Sequence, residues 1–280
     1  MTKRLAAIAG EAVLLAGGAR AILLQIANPS IGRAVARHSD FAAHPLLRLR
    51  TTLTYIYVVA YGTGDEVARI ARLVNGSHAR VSGASYDAAD SELQLWVAAT
   101  LYDTALTLYE KILGPLDAGD AEAVYRDYAV LGSTLQVPRE LWPHDRREFR
   151  QYCDDASQHL RVGPETKAVA RDLLHPRAAP LWLRSIMPLT RLVTTGLLTA
   201  EQRAAYNLPW NAGRQRRFDR AIQITALLYP RLPQRVRQWP KDRYLRRFRA
   251  SAEIAREVTA AFWGSSLCFR RAFSKSDVVC

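Results

Sequence analysis

The chain has 280 residues, 49% of them hydrophobic, and a formal net charge of +13 from 39 Lys and Arg against 26 Asp and Glu. That length and apolar content support one large core without disulfide or metal staples, and they exclude a disordered basic protein. Cys153, Cys268 and Cys280 form no CxxC, CxxCH or Cys/His zinc spacing, which removes thioredoxin-like, c-type haem and zinc-finger readings and suits a reducing compartment.

Lys3 and Arg4 precede an apolar stretch, but Glu11 breaks it and Arg20 follows closely. It makes a poor signal peptide and falls short of the about 20 apolar residues of a membrane span. An amphipathic first helix over about 5–27 is predicted, ended by Asn28-Pro29, and a cytoplasmic protein is expected. A short helix starts at Pro29. His44-Pro45 opens a long segment over 46–61, ended by Gly62 and Gly64.

Asp65 begins a helix to about 82, before Gly83. A loop over 85–90 then leads to a cap at Asp90 or Ser91 and the longest apolar helix, 92–113, closed by Gly114-Pro115. Further helices are predicted over 120–131, 146–160, 164–174, 180–195, 199–206, 214–229 and 241–262. Strand alternation is nearly absent, so the fold class is all-α. The Pro-rich joins at 138–143 and 229–240 resemble loops, leaving one domain over 1–265 and a tail over 266–280 expected to be disordered.

Val67, Ile70, Val74, His78 and Val81 recur at helical spacing, placing His78 on the stripe that faces the core. A buried imidazole needs a hydrogen-bond partner or a metal. A satisfied core histidine is the commoner case; a metal ligand is the other. In the preceding helix Arg48, Thr51, Thr52 and Tyr55 share one face. They either line a polar pocket inside the core, or Arg48 is a surface residue and the threonines bond to backbone carbonyls one turn back.

Several runs, in order, resemble the MpaB/rubber-oxygenase (latex clearing protein) catalytic-domain family. They are Gly18–Pro29 with His38-Ser-Asp-Phe41, Arg48-Leu-Arg-Thr-Thr52, Tyr61-Gly62, His78-Ala-Arg-Val81 with Gly83, Tyr86–Asp90, Leu95–Leu101 and Leu197–Trp210. The resemblance spans about residues 10–225. It implies a single multi-helix globular domain enclosing a b-type haem, with His78 as the proximal iron ligand and Arg48 and Thr52 close to the haem.

The chain also departs from that pattern. Thr51 stands where latex clearing proteins carry a lysine on the distal side of the iron, and threonine does not readily cap ferric iron. Asn28 and Ala98 stand where the family often has His, and Ser91 where it often has Pro. No glutamate base for polymer cleavage can be placed, so rubber is a poor substrate guess.

The resemblance implies a haem-dependent oxygenase using O₂ on an apolar terpenoid, lipid or aromatic substrate, with oxidative C=C cleavage as one outcome. Arg48, Thr51 and Thr52 are the candidate catalytic residues; His78, Arg48 and Thr52 the candidate cofactor contacts; His78 the metal ligand. The rival is a non-catalytic helical protein that binds haem or a hydrophobic ligand.

Arginines and lysines from Arg214 to Arg249 are interleaved with Phe218, Tyr229, Trp239, Tyr244 and Phe248. A peripheral contact with anionic membrane is one reading, and a solvated basic face with inward-packed aromatics the other. Nucleic acid ranks lower, because no base-recognition motif is present. Walker A, GxSxG, HExxH and GxGxxG patterns are absent. Asp154-Asp155 and Asp87/Asp90 read as helix surface and caps, and His144, His159 and His175 as surface residues.

Overall fold

The computed structural model describes residues 3–38, 45–83, 86–177 and 179–250; the side chains of residues 3, 38 and 45–48 lie outside the description. The predicted tail over 266–280, and the end of the predicted last helix, also lie outside the described residues.

The predicted first helix is three pieces. α1 (Lys3–Ala9) is followed by a 3-10 turn over Ala12–Gly17 and by α2 (Gly18–Ala27). The break falls where Glu11 leaves helical geometry, with φ −69° and ψ 116°. The Glu11 carboxylate is buried, lies 3.4 Å from Arg237 Nη1 and accepts from the Tyr229 hydroxyl at 2.8 Å. Partners more than 200 residues away therefore outweigh local helix propensity. Gly10 is required beside it, because the Tyr61 hydroxyl, donating to the Ala6 carbonyl, fills the space a Cβ would occupy.

α3 (Pro29–His38) leaves α2 at a bend of 107°. Asn28 Oδ1 caps it, accepting from Ser30 N at 3.0 Å and Ile31 N at 3.3 Å. α4 (Pro45–Tyr61) and α5 (Gly64–His78) pack together. α5 starts one residue before the predicted Asp65, because Thr63 and Glu66 form a reciprocal capping box. α5 ends at His78, short of the predicted end near 82, and a two-residue antiparallel pair, β1 (Ser82–Gly83) and β2 (Tyr86–Asp87), takes the end of the predicted helix and the start of the predicted loop, with Gly83 opposite Tyr86. A side chain at Gly83 would collide with the Tyr86 ring, so glycine lets that ring fold back.

α6 (Ser91–Leu113), capped by Asp90 Oδ1, is the central helix and touches α2, the 3-10 turn and the C-terminal helices. α7 (Ala118–Tyr128), α8 (Val130–Ser133), α9 (Arg146–Gln158) and α10 (Pro164–Leu174) follow. Tyr102 of α6 meets Tyr125, Tyr128, Trp142 and Phe149 edge-on, which locks α6, α7 and α9 together. α11 (Leu181–Leu197), α12 (Ala200–Ala205), α13 (Ala212–Leu228), α14 (Gln234–Arg237) and α15 (Trp239–Ala250) complete the described chain.

The fold is all-α apart from the short β pair, as the periodicity predicts. Among the described residues no single helix is long and apolar enough to cross a membrane. In the basic C-terminal third, Phe218 and Phe248 are buried and Tyr229 and Tyr244 half-buried, whereas Trp239 is exposed. α15 is also held to α5 by Arg249, whose guanidinium bridges both Glu66 carboxylate oxygens at 2.8 and 3.3 Å.

Candidate functional site

A cavity of about 270 Å³ lies between α2, α3, α4, α5 and α6. Its walls are mostly apolar and include Ile22, Leu49, Tyr57, Val74, Val97 and Leu101. Each helix supplies its buried stripe, so the cavity is where five apolar faces converge without closing. Such a chamber suits a small apolar ligand and sits near the lower end of small-molecule site volumes.

His78 is the last residue of α5 and lines this cavity. Val74 and Ile70, one and two turns earlier, are buried, while His78 is half-buried. The predicted stripe is correct, but its end opens on the cavity instead of sinking into core. Gln94 Nε2 approaches His78 Nδ1 at 3.4 Å.

Gln94 is buried on the second turn of α6, and its amide is held at both ends: Nε2 donates to the Ala88 carbonyl at 2.8 Å, and Oε1 accepts from Gln136 N at 3.1 Å. Those two bonds fix which end of the amide faces the imidazole.

The α4 wall brings Thr51 and Thr52 into the same cavity, Thr51 buried and Thr52 half-buried. Tyr55, on the same face, lines the cavity and donates its hydroxyl to the Leu131 carbonyl, and burial pushes its phenol far above the usual range. Of the four predicted α4 residues, three are therefore placed at the cavity. Arg48 belongs to α4, but its side chain lies outside the described residues.

Two further polar groups on the wall had no place in the sequence reading. Gln25 Nε2 donates to Thr100 Oγ1 at 3.2 Å. Thr104 Oγ1 accepts from Arg20 Nη1 at 2.7 Å. Arg20 is buried, donates through Nε to the Leu197 carbonyl at 2.9 Å and pairs with Asp103 at 2.7 Å. The available signal was a cation and an amide in the otherwise apolar run of α2, which periodicity alone reads as noise.

The remaining sequence candidates have plain roles. Asp87 and Asp90 accept from backbone N–H groups, and Asp154, Asp155, His144, His159 and His175 are exposed. Asn28 serves as the α3 cap, Ala98 lines the cavity with a methyl group, and Ser91 opens α6. The Cys153 thiol is pushed up to about 12 by burial, which makes it a poor nucleophile.

Three comparisons bear on this arrangement. The family model for the catalytic domain of ER-bound oxygenase mpaB/B′ and rubber oxygenase matches residues 6–227. Protein Rv2237 of Mycobacterium tuberculosis and protein Mb2261 of Mycobacterium bovis are each 35% identical over 247 residues, covering 85% of this chain and 97% of the relative. The structure of latex clearing protein in its closed state superposes with a TM-score of 0.63 at 18% identity, covering 89% of this chain and 73% of that one. At that identity the likeness speaks for the fold.

Proposed function

We infer function from one premise: this chain belongs to the mpaB/rubber-oxygenase catalytic-domain family, a family of oxygenases. We propose that it is a haem b-dependent oxygenase acting with O₂ on an apolar small molecule. The observation that carries this reading is an imidazole, His78, on the wall of an apolar cavity that also presents the hydroxyl residues Thr51 and Thr52.

The residues present fit a haem by the chemistry of their donors. A b-type haem needs one axial side chain, apolar walls and little else from the protein. Among the described residues no three His, Cys, Asp or Glu side chains are grouped to hold a bare ion. A single imidazole is matched better to a metal carried in a macrocycle than to a non-haem carboxylate triad.

When bound, the haem would supply dioxygen binding and electron-transfer chemistry. The chain's own groups do the rest. A neutral His78 protonated on Nδ1 offers the Nε2 lone pair, and the Gln94 side chain, 3.4 Å from Nδ1, packs against the ring and limits its rotation. Thr51 and Thr52 line the cavity, and Thr52 is the proposed hydroxyl donor to a polar atom of a bound molecule. The aliphatic walls exclude water and select apolar substrates. Arg48, by the family resemblance, is the proposed partner of a haem carboxylate.

The test is an absorption spectrum and pyridine haemochrome assay of protein produced with ample haem, with hemin titration of wild type and His78→Ala. Near-stoichiometric b-type haem that His78→Ala loses supports the reading. A full Soret band in His78→Ala removes the ligand assignment, and a colourless wild type that ignores hemin removes the cofactor. Haem binding without O₂ uptake on any apolar substrate would leave the non-catalytic binder.

A further inference from the structure

α13 and the segment that follows it carry an exposed face that is apolar and cationic together. Arg217, Arg220, Ile224, Leu227 and Leu228 fall within an arc of about 100° at helical spacing. All five are exposed, Ile224 by 51% and both leucines by 56%. α13 buries only Phe218. Exposed apolar side chains continue through Leu232, Val236 and Trp239, with Arg231 and Arg235 exposed between them. The Arg243 guanidinium lies 5.6 Å above the Trp239 ring. From Ala212 to Lys241 the only acidic residue is Asp219.

Scattered exposed leucines need no explanation, but a sustained apolar stripe set among arginines does. We propose that this face, α13 and the segment to Trp239, docks on the surface of an anionic phospholipid bilayer.

A helix lying in the interface places Leu and Ile among the acyl chains, Trp at the headgroup level and Arg beside the phosphates. Anionic headgroups supply the charge that the face lacks. A second copy is a poorer occupant, because a two-fold contact would bury Arg217 and Arg220 against a face that offers no carboxylate to pair with them. Nucleic acid would satisfy the arginines but leave Ile224, Leu227 and Leu228 without apolar partners. The proposal stands independently of the oxygenase reading, since none of these side chains lines the cavity.

The test uses the full chain in flotation with phosphatidylcholine vesicles, with and without a minority of phosphatidylserine, at low and high salt. The wild type is expected to float with anionic vesicles and to be released by salt. Ile224→Ser with Leu227→Ser and Leu228→Ser should weaken capture roughly tenfold or more while the far-UV CD spectrum stays unchanged.

Arg217→Gln with Arg220→Gln should erase the preference for anionic lipid even if the apolar variant folds poorly. Equal recovery from neutral and anionic vesicles, no recovery from either, or full capture of both variants would overturn the proposal. So would wild-type self-association lost in the apolar variant without vesicle capture, or capture of an oligonucleotide in place of vesicles.

Discussion

Gln94 Nε2 lies 3.4 Å from His78 Nδ1, and the amide that makes this contact is anchored to Ala88 O and Gln136 N. The proposed axial ligand is thus held by a residue from another helix, whose orientation depends on a loop carbonyl and on a backbone N–H forty-two residues further on. A neutral ring that accepts at Nδ1 carries its proton on Nε2, so binding iron through Nε2 requires the tautomer protonated on Nδ1, in which Gln94 packs against the ring instead of donating to it.

Gln94→Leu keeps the bulk and removes all three contacts. The part-buried Ala88 carbonyl and Gln136 N–H lose their partner, so unfolding stability should fall by about 1 kcal/mol in urea titration. With the imidazole no longer oriented, hemin affinity per folded molecule should drop roughly tenfold or more. Unchanged hemin affinity in a folded variant would show that Gln94 supports only the fold.

Thr52→Val replaces a half-buried hydroxyl by a methyl of similar shape. Haem content should stay near that of the wild type, while the rate of substrate-dependent O₂ uptake falls by roughly 10-fold or more if the hydroxyl donates in the reaction. Haem loss in this variant would move Thr52 from chemistry to cofactor retention. Thr51→Val, at a buried position, gives the companion measurement.

Glu11→Leu should cost about 2–3 kcal/mol of stability by chemical denaturation. It leaves the Arg237 guanidinium, whose side chain is only 20% exposed, beside a hydrocarbon, and strips the Tyr229 hydroxyl of its acceptor. Arg237→Leu with Glu11→Leu should recover part of that loss in a double-mutant cycle. A cycle without coupling would mean that the pair does not hold the C-terminal helices to the 3-10 turn.

The Glu66 carboxyl is held below the usual range, chiefly by the hydrogen bond from Arg249 and then by the Thr63 backbone N–H. A depressed native carboxyl contributes stability above its unfolded value, and that contribution is lost as pH falls through the ordinary glutamate range and below it. Arg249 is half exposed, so solvent screening limits the effect to within about 1 kcal/mol. Arg249→Ala should lower the melting temperature slightly at neutral pH, with the difference from wild type shrinking under acid. A difference that grows on acidification would reverse the sign.

Cys153, with its thiol pushed up to about 12, should resist aromatic disulfide reagents near neutral pH. In a Cys268→Ser, Cys280→Ser background the native protein should release almost no chromophore until denaturant is added. Rapid native labelling would show that α9 opens.

Periodicity alone made the all-helical fold legible, because apolar stripes at 3.6-residue spacing and proline or glycine stops are local features. α10 matches its predicted span, and the α6 cap at Asp90 follows from side-chain chemistry within three residues. His78, Thr51 and Thr52 were legible as residues of two neighbouring faces. Their role as candidates came from the family resemblance, since a lone histidine on an apolar stripe is ambiguous by itself.

Tertiary structure decided what depends on partners distant in the chain. Glu11 could not announce the break between α1 and α2, because the groups that bind it lie beyond residue 228. Gln94 and Gln25 gave no periodic signal, and only packing makes them cavity groups. Ile224, Leu227 and Leu228 read as ordinary apolar residues in the sequence, and the described residues leave them exposed. The sequence determined which stretches are helical and which faces are apolar, because those properties belong to neighbouring residues. Which faces close on one another, which stay open as a cavity and which face outward is settled by long-range contacts, whose energies no local pattern contains.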